Sequence, residues 1–166
     1  MVRKMYFSGS LGKNLQILVD DVVYDWASLC KWYWKKGDPG YATRAKKVNG
    51  KCVYYFLHKE ILGVHLNKEI LVDHINGNPL DCRRENLRLA NRKENAQNRR
   101  VLSHRRYKGI AFKKYANKTN PWEARIRVDG KLISLGYHRQ MKDAALAYNK
   151  AAVFYFKEFA RLNEVA

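Results

Sequence analysis

The residues best equipped for chemistry lie between positions 71 and 98, in LVDHINGNPLDCRRENLRLANRKENAQN. Asp73 and His74 close the short apolar run Ile70-Leu71-Val72, Asn86 stands in ENLRL, and Asn95 lies in a segment that opens as helices open. A carboxylate, an imidazole and an amide that converge can hold one divalent ion and activate one water, the equipment of metal-dependent phosphodiester hydrolysis. Mg²⁺ suits such a set, because it takes oxygen ligands and often only one or two from protein. Asp73 and the Asn95 amide oxygen are the candidate ligands, with positions left for water and phosphate. His74, with an unperturbed pKa of about 6.5, can be neutral near pH 7 and take a proton from water. Arg83, Arg84 and Arg88 could clamp flanking phosphates. Taken singly, Asp-His at a turn or Asn near a helix start is ordinary structural usage. Together and in this order they point to a nuclease.

The elements that must position these groups can be read around them. Residues 69–75 read as a strand, 76–79 as a turn and 86–90 as the returning strand. Asn91 followed by Glu94 forms a capping-box pattern that opens a helix over 92–100. Asn91, Asn95 and Asn98 then fall at i, i+4 and i+7, which makes Asn98 a secondary site candidate. A hairpin packed on this helix brings Asp73 and Asn95 close together.

Upstream, residues 15–19 alternate as a strand. Residues 25–33 read as a short amphipathic helix with Trp26, Leu29, Cys30 and Tyr33 on one stripe. Gly37, Pro39 and Gly40 break the pattern, and Asn49-Gly50 introduces a strand over 51–58. Trp26, Trp32 and Trp34 read as core. His58 has two open readings, a group that reaches the metal centre or a phosphate and a satisfied structural histidine. His65 and His104 read as surface or loop residues.

Composition narrows the partner. The 166-residue chain carries a formal charge of +18. From residue 83 to 131 there are 16 Lys and Arg against 4 Asp and Glu, a net of +12. A run so long and one-signed favours a polyanion, and the absence of an apolar helical face beside it disfavours a membrane surface. The three cysteines, Cys30, Cys52 and Cys82, have no C-x-x-C spacing, which argues against zinc or a disulfide framework. With no signal-like or membrane-length apolar run, the expectation is a reduced, cytoplasmic protein that is not secreted.

After the basic residues 99–105 the pattern changes. Residues 107–113 read as a strand, and Trp122, Ala124, Ile126 and Val128 alternate with Glu123, Arg125 and Arg127. Asp129-Gly130 is a two-residue hairpin turn. The return strand pairs Ile126 with Ile133, Ala124 with Leu135, Arg125 with Ser134 and Arg127 with Leu132. A helix from Met141 to about Tyr155 presents alanines that allow close packing. One sheet face then packs on the helix, and the other offers Lys108, Lys113, Arg125 and Arg127 to a DNA groove.

DHINGN, ENLR and KENAQNR resemble, in order and spacing, the HNH endonuclease family in its homing and phage-encoded branch, over residues 50–100. The resemblance implies His74 as general base, Asp73 and Asn95 as metal ligands, and Asn86 as the residue that orients the hairpin and the active site. Cys82 departs from the asparagine often found there. YKGI, WEARI, LGY, AALAY and ARLN resemble the AP2 DNA-binding domain over residues 106–163. That likeness implies DNA contacts at Lys108, Lys113, Arg125, Arg127 and Ser134, with Arg125 and Ser134 departing from the plant-type pattern.

The expectation is an α+β chain. A small N-terminal β-rich module (1–57) precedes an HNH ββα-metal core (58–100). A basic linker (101–105) then leads to an AP2-type three-stranded antiparallel sheet packed on one helix (106–163). Its activity would be site-directed cleavage of double-stranded DNA with one Mg²⁺ or Mn²⁺ per active site, as a monomer or homodimer, with no small-molecule cofactor. Two rivals stay open: a DNA-binding regulatory or accessory protein on an HNH scaffold without turnover, and a basic RNA-associated protein.

Overall fold

A computed structural model describes residues 1–37, 40–101, 106–114 and 119–165. His104 lies outside these residues. The described residues form a mixed α and β fold with four small sheets. Two units, 1–95 and 96–166, each hold their own contacts. No helix among the described residues is long and apolar enough to cross a membrane.

The first unit opens with strands β1 (Val2–Tyr6) and β2 (Gln16–Asp20), paired antiparallel. Ile17 and Val19 of β2 point inward and are fully buried, as their alternation predicts. Helix α1 (Asp21–Ala27) follows at once, with Asp20 at its N-cap and Asp21 in its first turn, where the helix dipole favours negative charge. It starts and ends earlier than expected. Val23 and Ala27 are its buried residues, whereas Leu29 is exposed, so the stripe through Leu29 and Tyr33 is not a helix face. Trp32 is buried and donates from Nε1 to the Ala27 carbonyl at 2.9 Å, while Trp26 and Trp34 pack partly buried against the same core.

Strands β3 (Tyr33–Lys35), β4 (Tyr41–Val48) and β5 (Lys51–Phe56) form an antiparallel sheet in the order β3-β4-β5. Asn49 and Gly50, both at positive φ (50° and 75°), make the β4–β5 turn that the dipeptide announced. The expected strand over 51–58 stops at Phe56, and helix α2 (Leu57–Ile61) begins, burying Leu57, His58 and Ile61. Strands β6 (Leu71–His74) and β7 (Leu87–Ala90) then pair antiparallel and lead into helix α3 (Arg92–Gln97). The capping box is present in both directions. Asn91 Oδ1 accepts from the Glu94 N–H at 2.9 Å, and Glu94 Oε2 accepts from the Asn91 N–H at 2.8 Å. The helix stops at Gln97, short of the expected Arg100.

In the second unit, β8 (Ile110–Phe112), β9 (Trp122–Val128) and β10 (Lys131–His138) form an antiparallel sheet with β9 central, covered by helix α4 (Met141–Phe156). Ala144, Ala145 and Ala152 are fully buried beside Tyr148 and Phe156. The hairpin has the expected register, Ile126 opposite Ile133, Arg125 opposite Ser134 and Arg127 opposite Leu132. Beyond Ser134 it shifts. Tyr137 opposes Glu123, and a bulge containing Gly136 (φ 98°) replaces the simple Ala124–Leu135 pair. Gly109 (φ 75°) is required where it stands, because a Cβ there would lie 2.1 Å from the Tyr148 ring and 2.6 Å from the Arg125 carbonyl oxygen.

Candidate active site

The β6–β7 register decides the neighbours of the two central residues. Asp73 lies opposite Arg88, and His74 opposite Leu87. Opposed residues on paired strands share a face. The Arg88 guanidinium therefore reaches Asp73 Oδ2 with both Nε (2.8 Å) and Nη2 (2.6 Å), a pair withdrawn from solvent on both sides.

His74 has a different set of neighbours. Its ring meets His58 edge-on at 5.1 Å between centroids and lies near-parallel to Tyr41 at 6.1 Å. His58 in turn tilts against Tyr41 at 4.9 Å and Phe56 at 5.7 Å. Cys82 Sγ stands 4.0 Å from His74 Nε2, a contact whose direction follows the imidazole tautomer.

Burial decides the charge state of this group. Desolvation pushes the His58 pKa down to about 3, and the nearby His74 adds to the effect. Desolvation pushes His74 down to about 4 against the opposing fields of Asp73 and Asp81. Both imidazoles are neutral near pH 7, so His74 is in the basic form that can accept a proton. Burial also raises the Cys82 thiol, with the Asp81 charge assisting, and so keeps it protonated. Tyr41 is raised by burial and by Asp73.

The turn after β6 is held by amides. Asn86 Oδ1 accepts from the Asn76 N–H at 2.9 Å, while Asn86 Nδ2 donates to the Asp81 carbonyl at 2.8 Å and to Asn76 Oδ1 at 3.1 Å. Asn76 Nδ2 donates to Asp81 Oδ2 at 2.8 Å, and Arg83 grips both oxygens of the same carboxylate at 2.7 Å. Those contacts, led by the hydrogen bonds from Arg83, hold Asp81 below the ordinary carboxylate range. Residues 80–82 also dock along β2, through Leu18 N–H to the Leu80 carbonyl and Cys82 N–H to the Leu18 carbonyl, both 2.8 Å. Asn86 thus fixes the backbone that carries His74.

The other expected site residues are distributed as follows. Arg84 donates its N–H to Asp20 Oδ2 and its Nη1 to the Ile61 carbonyl. With Arg83 on Asp81 and Glu85, and Arg88 on Asp73, all three arginines expected at phosphates are engaged within the protein. Asn95 is half-buried in α3, and its side chain makes no hydrogen bond among the described residues. His58, read two ways from the sequence, is packed against His74. Asn98 is buried in the second unit.

Lys108 is half-buried there, and its Nζ donates to the Gln97 and Arg99 carbonyls. Desolvation, with Arg161 and Arg99 nearby, pushes its pKa down to about 8. Lys113 is exposed, Arg127 Nη1 donates to the Gly130 carbonyl at 2.7 Å, and Arg125 lies beside Ser134 on the sheet face away from α4.

The donors present match a hard divalent ion. Asp73 has carboxylate oxygens and Asn95 an amide oxygen with no hydrogen-bond partner among the described residues, donor types that Mg²⁺ or Mn²⁺ accepts. No group of three or more His, Cys, Asp and Glu that could hold a metal ion occurs among the described residues. Tyr41, Cys82 and Asp81 are the neighbours that the sequence did not bring to the site. Only Cys82 carried a signal, as a departure from a motif.

Residues 65–97 match the family described as HNH endonuclease, a stretch that contains Asp73, His74, Asn86 and Asn95. The chain is also similar to an uncharacterised HNH endonuclease of Acanthamoeba polyphaga mimivirus, 28% identical over 140 residues that make up 84% of this chain and 71% of the relative. No solved structure matches. These likenesses support a nuclease at the level of the family.

Proposed function

We propose that the chain is a metal-dependent endonuclease that hydrolyses phosphodiester bonds in DNA. The observation that carries this reading is His74, held neutral at the end of β6 beside a buried carboxylate, inside the stretch that matches the HNH family. In this reading His74 accepts the proton of the attacking water at an unprotonated ring nitrogen. Asp73 and Asn95 hold the ion, with Arg88 fixing the Asp73 carboxylate through Oδ2. Asn86 keeps the turn that orients His74 and does not touch the reacting atoms. A bound Mg²⁺ or Mn²⁺ supplies positive charge to the phosphate and to the leaving 3′-oxygen. The sheet of the second unit is proposed as an AP2-type module that binds duplex DNA through Lys113, Arg125 and Arg127. A homing role in a phage or mobile element is the setting that the motifs suggest.

A second reading has its own observation. Arg88 neutralises Asp73, which suits a DNA-binding protein that has kept the scaffold and lost turnover.

Supercoiled plasmid and genomic DNA incubated with Mg²⁺, with and without EDTA, separate the two. Metal-dependent nicking or linearisation is expected, reduced roughly 10²–10⁴-fold by His74→Ala while DNA binding persists. Tight binding with no cleavage of either DNA at any salt concentration would leave the second reading standing.

A further inference from the structure

The sheet β3-β4-β5 turns one face into the core, and its other face is buried at Thr43 but opens to solvent toward Tyr33 and Tyr54. Ala42 is buried on the inner face, and Arg44 reaches Glu60 there with two hydrogen bonds of 3.0 and 2.8 Å. Strand alternation puts Tyr33, Lys35, Tyr41, Lys47, Tyr54 and Phe56 on the other face.

Lys35, Tyr54, Phe56 and Tyr41 form a connected stripe on this face. The Lys35 ammonium lies 5.4 Å from the Tyr54 ring centre and 5.3 Å from that of Phe56. The Tyr41 ring meets Phe56 edge-on at 6.0 Å and then lies near-parallel to His74 at 6.1 Å. The outer end is open, with Tyr54 59% exposed and Tyr33 48% exposed. The cross-strand partner of Tyr54 on β4 is the small Ala45, and the long side chain recorded against the ring is Lys35. The three strands carry Lys35, Arg44, Lys46, Lys47 and Lys51 and no acidic residue.

We propose that this outer face binds an unpaired DNA strand and leads it toward His74, with Tyr54 as a stacking platform and Lys35 and Lys47 at phosphates. The argument is one of complementary chemistry. In a duplex both faces of a base are covered by its neighbours, so an open tyrosine ring has nothing to stack on. In an unpaired strand the base face is available, and rings interleaved with lysines meet both base and phosphate. A one-signed face also attracts the backbone. The substrate class that follows is a duplex with a flap, gap or single-stranded tail next to the cut. This rests on the nuclease reading, which it deepens.

The test uses the full chain in EDTA, where no cleavage intervenes, and fluorescence anisotropy of two probes. One is a blunt duplex, and the other is the same duplex with a single-stranded DNA tail. Tyr54→Ala is expected to weaken binding to the tailed probe about ten-fold and to change blunt-duplex binding less than two-fold. Tyr54→Phe should retain wild-type binding, because the ring and not the hydroxyl is used. Unchanged thermal unfolding of Tyr54→Ala confirms that the sheet is intact. Equal loss on both probes, no loss on either, or equal preference for an RNA tail with no Tyr54 dependence overturns the proposal. The same probes with Mg²⁺ separate the two claims. Tyr54-dependent tail binding with no cleavage sinks the nuclease and leaves the stripe, whereas cleavage indifferent to Tyr54→Ala sinks the stripe alone.

Discussion

The two units bury different things. His58, Asp73, His74 and Asp81 are buried ionisable side chains, and all four belong to the first unit, within 25 residues of one another in sequence. The second unit buries no His, Asp, Glu, Lys or Arg among its described residues, and its core is alanine, Ile126, Tyr148 and Phe156. Its buried polar groups are the amides of Asn98 and Asn163. Asn163 ties the ends of the module together, accepting the Lys108 N–H at Oδ1 (2.6 Å) and exchanging two bonds with Asn149 (2.8 and 2.9 Å). Buried amides that find partners cost little, whereas buried imidazoles and carboxylates must change charge or be paired. The first unit therefore accepts a stability cost in one place, and that place is the candidate active site.

The largest test of this contrast is acid. A histidine whose folded pKa lies below its unfolded value is held neutral by the fold while the unfolded chain takes up a proton. Its contribution is fully present above about pH 6.5 and is lost as pH falls toward 4 for His74 and toward 3 for His58. Together they should remove about 3–4 kcal/mol from the first unit between pH 7 and 5, measured by urea unfolding in EDTA. His58→Phe keeps a ring at that position and should halve the pH slope. A flat stability over this range would mean that both imidazoles ionise freely in the fold.

Next in size is a break in the second unit. Gly109→Ala places a methyl group against the buried Tyr148 ring and the Arg125 carbonyl and should cost about 3 kcal/mol. Gly63→Ala, at a similar φ of 70° but with nothing within 4 Å, should cost about 1 kcal/mol. If the two costs were equal, φ and not close approach would be the cause. In the first unit, Asn86→Ala strands the Asn76 N–H and the Asp81 carbonyl and should cost about 2 kcal/mol. It should also slow cleavage without weakening DNA binding, because the turn under His74 loosens.

What could be read from the sequence was whatever local chemistry decides. The Asn49-Gly50 and Asp129-Gly130 turns, the Asn91–Glu94 box and the Arg125–Ser134 register are set by residues within a few positions of each other, and each stands as expected. The bulge at Gly136 was hidden, because one extra residue leaves the alternation intact on either side. α1 was misplaced because Trp26, Leu29 and Cys30 mimic a stripe that the buried Val23 and Ala27 in fact supply. For the site, spacing identified Asp73, His74 and Asn86 as a group. It could not show that Tyr41 and His58 pack on His74, since that contact depends on how β4 and α2 meet β6. Nor could it show that the arginines near the site grip carboxylates of their own unit.

The smallest expected effect concerns Lys108, a half-buried cation of the second unit whose pKa moves far, from 10.5 to about 8. Desolvation is the main cause, and the two carbonyls it bonds do not compensate fully. Below pH 8 Lys108 is charged in both the folded and the unfolded chain, and the cost of burying that charge is constant. Between about pH 8 and 10.5 the unfolded chain holds more protons, so stability must rise with pH. The gain from pH 7 to 9 should stay under about 1 kcal/mol, because solvent screens the open side of the ammonium. Lys108→Met should abolish that slope whatever it does to absolute stability, and unfolding curves at pH 7, 8 and 9 would read it. A slope that survives the substitution would assign the effect to another group and leave Lys108 as an ordinary surface cation. The second unit would then hold no strained charge among its described residues, and the contrast with the histidine cluster would be sharper still.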